Sequence, residues 1–228
     1  MSSIITVYSL MITIFIYLFT IAISKKYPSP FTTPVFLSTV LIIGVLYLSH
    51  ITYSQYSIAK EIITELLGPA TVALAVPLYK NRRIFFQHLK PALLGIILGT
   101  SLTIASAEII GKMMHFSNEF LISLSVKSIT IPVASEVSNI IGGNEYLVAA
   151  FVMITGMFGA MFGPLILNLC KINHPLSRGL AIGTISHGIG TAEAVKEGEI
   201  QGAVSGVAMG VAAIFTSICI PNILPLIL

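Results

Sequence analysis

From Ile4 to Ser24 the chain carries no charged side chain. At a rise of about 1.5 Å per residue, a helix over that stretch is about 30 Å long, the thickness of a bilayer's apolar layer. Further charge-free runs cover Pro34 to Ser49, Pro91 to Ala107, Tyr146 to Cys170 and Ile200 to Leu228. Only 9 % of the residues are charged and mean hydropathy is +0.95, whereas a soluble domain carries about a quarter charged residues. A water-soluble globule, a disordered chain and a disulfide scaffold are excluded. The 228 residues allow about six to eight crossings with short connections. The fold expected is all-α and polytopic, one integral membrane domain over 1–228.

The first apolar run does not read as a cleaved leader. Met1-Ser2-Ser3 has no basic side chain, and Lys25-Lys26 follow the run instead of preceding it. With the N-terminus outside, Lys25-Lys26 and the Lys80, Arg82, Arg83, Lys90 loop fall in the cytoplasm, as the positive-inside bias requires. Simple alternation then fails. If Leu121 to Ile141 crossed fully, Lys171 and Arg178 would face outward; they return inside if that segment is a hairpin entering and leaving on one side. No Trp is present, so interfacial anchoring falls to tyrosines such as Tyr47, Tyr53, Tyr56 and Tyr79.

Three segments are apolar but interrupted. Leu66 to Tyr79 contains Gly68-Pro69 and Pro77; Leu121 to Ile141 contains Lys127, Pro132 and Glu136; Arg178 to Val195 contains His187 and Glu193 among small residues. Proline removes a backbone donor and clashes with the carbonyl four residues back. At membrane depth the freed groups must be satisfied by protein or face a wet cavity. Pro77 and Pro132 therefore mark either simple kinks or broken helices around a cavity, and the clustering favours the cavity. A weak similarity at an offset of 55 pairs Pro77 with Pro132, Gly95 with Ala150 and Thr100 with Thr155. Duplicated halves with interrupted helices are one way to build a mid-membrane transport site.

Lys127, flanked by Ser125, Ser128 and Thr130, costs about 2.5–3.5 kcal/mol at a helix centre on insertion scales. Either it snorkels to the headgroups or it is a fixed cation for an anionic substrate. His187 sits among Thr184, Ser186, Gly190 and Thr191. It reads as a satisfied structural residue or as a site residue that takes up a proton with substrate. Glu136 and Glu193 are possible partners for Lys127 or His187. With no Asp in the chain, paired-aspartate ion sites and aspartyl-phosphate chemistry are excluded. Gly68, Gly95 and Gly99 form no phosphate-binding loop, the histidines lack zinc spacing, and Cys170 and Cys219 read as small apolar-facing residues. No metal, cofactor or nucleic acid is expected, and nothing points to an enzyme.

The stretches Leu67-Gly68-Pro69-Ala70-Thr71 through Val76-Pro77-Leu78-Tyr79-Lys80, Lys127-Ser128-Ile129-Thr130-Ile131-Pro132, Ile141-Gly142-Gly143, and Arg178-Gly179 through Ser186-His187 to Gly190-Thr191-Ala192 resemble the signature of the LrgB/CidB family. The resemblance implies a multi-pass plasma-membrane protein, often working with a smaller LrgA/CidA-type partner and prone to homo-oligomers. It also implies a broken-helix fold like that of cation/proton antiporters. Family members include antiholin- or holin-like regulators of murein hydrolase activity, and others resemble transporters of pyruvate, glycolate or glycerate. The absence of aspartate departs from the antiporters, and a lysine with hydroxyls suits a small monocarboxylate. The expected site comprises Gly68, Pro69, Ala70, Thr71, Lys127, Ser128, Thr130, Ser186, His187, Gly190 and Thr191. A face of small residues, Gly156, Gly159, Ala160 and Gly163, is where a holin-like oligomer would associate.

Overall fold

Long uncharged runs can satisfy their backbone only internally, and they form helices. The computed structural model describes residues 2–66, 69, 72–73, 75–80 and 82–227, and the described residues contain helices and no strand. The chain divides into two compact units, Met1–Ala73 and Leu74–Leu228.

In the first unit, α1 (Ser2–Lys26) ends in two lysines, where cations complement the negative end of the helix dipole. After a 3₁₀ turn at Pro30–Thr32, α2 (Pro34–Leu48) starts on a proline, whose missing N–H costs nothing in a first turn. α3 (Tyr53–Glu65) is capped by Thr52, which exchanges bonds with Gln55 in a capping box. α2 and α3 both pack on α1, and hydroxyl pairs tie the group: Tyr8 to Ser49 at 3.3 Å and Thr13 to Tyr56 at 3.1 Å.

The second unit begins with two short helices, α4 (Ala75–Lys80) and α5 (Arg82–Gln87). Among the described residues of this unit, three helices have the length and apolarity to cross a membrane: α6 (Leu89–Met113), α9 (Glu145–Leu169) and α11 (Glu199–Ile227). α1 is a fourth such helix, in the first unit. α6 extends past the expected end at Ala107 to Met113, so Glu108 is helical.

Between α6 and α9 lie α7 (Asn118–Ser125) and α8 (Ile131–Ile140), joined by a non-helical stretch over 126–130. They form a hairpin, because its two ends meet. Asn144 just beyond α8 donates from Nδ2 to Glu119 at the start of α7 (2.9 Å), and its backbone N–H donates to Ser123 Oγ (2.8 Å). The same Asn144 caps α9 through Oδ1. Ile122, Val126, Ile129, Ala134 and Val137 of this hairpin form a core with Val148 and Val152 of α9 and Ile220 and Leu224 of α11.

The segment Pro175–Glu197, α10, is a second hairpin. Its helical geometry fails at His187 (φ 40°, ψ −137°). Nineteen residues of straight helix would separate Arg178 from Glu197 by about 28 Å, yet their side chains are paired at 2.6–2.7 Å. The arms 175–186 and 188–197 therefore run antiparallel, and Ile182 and Ala194 share a buried cluster with Leu167.

α6 and α9 are both 25 residues long, they start 56 positions apart, and each is followed by a hairpin. Because the first hairpin returns to the side it entered, α6 and α9 cross in opposite directions, as helices of inverted-topology transporters do. Lys171 and Arg178 thus return to the side of Lys80–Lys90, as the charge rule requires of a hairpin.

Candidate functional site

Pro132 stands in the first turn of α8, not inside a continuous helix, so it starts a half-helix instead of kinking one. The N-terminus of α8 lies at the hairpin tip beside Lys127, with Thr130 at the cap position but making no side-chain cap bond. Unpaired amides and the positive end of the helix dipole gather there.

Lys127 does not snorkel. Its Nζ donates to the backbone carbonyl of Thr103 at 3.1 Å. Thr103 lies ten residues before the end of α6 at Met113, about 15 Å inside the helix. Ser128 Oγ and Thr100 Oγ1 are buried with no hydrogen-bond partner among the described residues. An unmet buried hydroxyl costs about 1–3 kcal/mol, so two of them near a fixed amine favour a polar ligand.

The second hairpin reaches the same depth from the opposite side. Along α9, Asn168 Oδ1 accepts from Arg178 (2.8 Å), Gly163 lies beside Ile182, Gly159 beside Ser186 and Gly156 beside His187. Gly156 is the twelfth residue of a 25-residue helix, which puts His187 near mid-span. A Cβ on Gly156 would stand 2.7 Å from His187 Nε2, so only glycine admits the ring. His187 is 4 % exposed, and Nε2 donates to the Val152 carbonyl at 3.0 Å.

Both tips meet the same stretch of scaffold. Val152 accepts from His187, and its side chain packs with Val126 and Ile129 of the other tip. On α6, Gly99 faces Thr184 of the second hairpin, and Thr103, one turn further on, holds Lys127.

Lys127, Ser128 and Thr130 thus gather on one tip, and Ser186 and His187 on the other. Ser186 packs on Gly159 and lines an apolar cleft of about 370 Å³ between α9 and the first arm. Gly190 and Thr191 hold structure: Gly190 packs on Ile182 across the hairpin, and Thr191 Oγ1 bonds the His187 carbonyl and Ser205 of α11, each at 2.8 Å. Gly68, Ala70 and Thr71 lie outside the described residues; Pro69 is exposed, and Pro77 lies in α4.

Three expectations are corrected. Glu193 pairs with Lys196 and not with His187, and Glu136 is exposed; the carboxylate in electrostatic reach of Lys127 is Glu108. The small face Gly156, Gly159, Gly163 receives the second hairpin within the same chain, so it is not a free face for association. Thr103 and Glu108 carry no motif signal, and Thr100 enters the sequence pattern only through its pairing with Thr155, although a lone carboxylate following a charge-free run was the available signal for Glu108.

The LrgB-like family model matches residues 13–226. Among curated relatives, the uncharacterized protein YxaC of Bacillus subtilis is 37% identical over 208 residues, 91% of this chain and 90% of that protein. The holin-like protein CidB of Staphylococcus aureus is 30% identical over 212 residues, 93% of each. No solved structure matches the chain. With nearly its whole length matched, this multi-pass membrane protein belongs to the LrgB-like family.

Proposed function

We propose that this protein is a secondary transporter of small monocarboxylates of the pyruvate, glycolate or glycerate type, with its site between the two hairpin tips. The observation that carries the reading is the Lys127 amine, held at mid-span by the Thr103 carbonyl beside the N-terminus of α8. A cation and unpaired amides suit a carboxylate. The unpartnered Ser128 hydroxyl suits the 2-oxo or 2-hydroxy oxygen, with Thr130 at the same tip and His187 at the other. Hairpins entering from opposite sides supply the two gates that alternating access needs. A smaller partner of LrgA/CidA type, self-association and a single functional domain over 1–228 belong to the same reading.

The test is uptake of labelled pyruvate into proteoliposomes, with and without the partner. The expected outcome is saturable uptake that is lost in Lys127→Met, while that variant's thermal stability in detergent stays within a few degrees of the parent. Equal uptake by the variant would remove Lys127 from the site. The name of the CidB relative carries a second reading, a holin-like membrane function. Size-nonselective leakage of entrapped dye from the same vesicles would favour it over selective flux.

A further inference from the structure

Glu108 is the carboxylate the site has left unused. It sits inside α6, 4 % exposed, and neither carboxyl oxygen has a hydrogen-bond partner among the described residues. Burying an ionised carboxylate without hydrogen bonds is costly, and an ionisable group in a membrane span is retained for function more often than for stability. Glu108 lines a cavity of about 330 Å³ between α6 and α11, whose other walls are Ile104, Ile109, Phe215 and Ile220 with Ser101 and Cys219. A hard metal cation needs about six oxygen ligands, and this wall offers the carboxyl and one hydroxyl. A proton needs one oxygen and a path for water.

We propose that Glu108 is a proton-binding site of this protein and that its proton is coupled to the anion at Lys127. The charged groups in electrostatic reach of it are Lys112, one turn on along its own helix, and Lys127 at the first hairpin tip, and the Cys219 thiol on α11 lines the same cavity. Glu108 lies five residues from Thr103, the residue that anchors the amine. In the empty protein the carboxylate and the amine partly neutralise one another. An arriving substrate carboxylate takes over the charge of Lys127, and Glu108, deprived of that field, adds H⁺ from water to one carboxyl oxygen. Anion and proton then cross together with no net charge and separate on the far side. His187 is the poorer carrier, because its Nε2–H is already engaged by Val152.

The proton site stands on the geometry alone; the coupling rests on the transport reading. Two measurements keep them apart. Dicyclohexylcarbodiimide, which adds to a protonated buried carboxyl and rearranges to a stable N-acylurea, is applied to wild-type protein in membranes and the adduct located by mass spectrometry. Labelling at Glu108 that is lost as pH rises is expected; no label there, or label independent of pH, overturns the proton site. In proteoliposomes, acid outside should drive accumulation of labelled pyruvate and acidify the lumen. Glu108→Gln should lose both signals, and Glu108→Asp should recover them with a displaced pH profile. Gradient-driven accumulation persisting in Glu108→Gln overturns the coupling. Absence of pyruvate counterflow in the wild type overturns the transport reading and, with it, the coupling, while the labelling result stands by itself.

Discussion

The pair Arg178–Glu197 closes the open end of the second hairpin, and its energy reports directly on that fold. Were residues 175–197 one straight helix, the two charges would stand about 28 Å apart. Even unscreened in water they would interact by about 0.15 kcal/mol, and salt would remove that. In the folded hairpin the guanidinium donates from Nε and Nη2 to the two carboxylate oxygens at 2.7 and 2.6 Å, and both side chains are largely buried, at 10 % and 17 % exposed. Breaking a buried pair from one side costs about 3–5 kcal/mol. Asn168 Oδ1 and the Ile172 carbonyl still accept from Nη1 when Glu197 is altered, so the low end, about 3 kcal/mol, is expected here. The assay is a double-mutant cycle with Arg178→Met and Glu197→Gln, read by reversible unfolding in mixed micelles. A coupling energy of at least about 1.5 kcal/mol is the expected result. A coupling below about 0.5 kcal/mol, the range of an exposed pair, would refute the hairpin and the depth assigned to His187.

Ser128 and His187 give two more predictions. Replacing Ser128 by Ala removes an unpartnered buried hydroxyl, so stability should be unchanged or rise by about 1 kcal/mol; pyruvate uptake should show a raised KM with little change in maximal rate. At His187 the backbone has φ 40°, a region that disfavours side chains. His187→Ala keeps that strain and loses the bond to Val152, whereas His187→Gly loses the bond and relieves the strain. The Gly variant should therefore be more stable than the Ala variant by about 1 kcal/mol in the same unfolding assay.

Membrane residence, the long spans and the interruptions within Leu121 to Ile141 and Arg178 to Val195 could be read from the chain alone, while the third interrupted segment, Leu66 to Tyr79, lies partly outside the described residues. Burying charge in a bilayer costs so much that it is visible one residue at a time. The lysine and arginine placement also pointed to a hairpin between α6 and α9, which would return Lys171 and Arg178 to the side of Lys80. Pro132 announced the break, since a proline admits a helix start and resists a helix interior.

Tertiary structure decided what lies across each break. Arg178 meets Glu197, and Glu119 meets Asn144, through pairings that no local periodicity encodes. Gly156, Gly159 and Gly163 carry the same spacing whether they admit a neighbouring protomer or a hairpin of their own chain, and only packing distinguished the two. Glu108 became a candidate when α6 continued past Ala107 and wrapped the carboxyl in apolar walls. Transfer cost is a property of each residue and is therefore written along the sequence. The partner that offsets the cost is fixed by which helices touch, and in the second unit that was settled by two hairpins arriving at one depth from opposite sides.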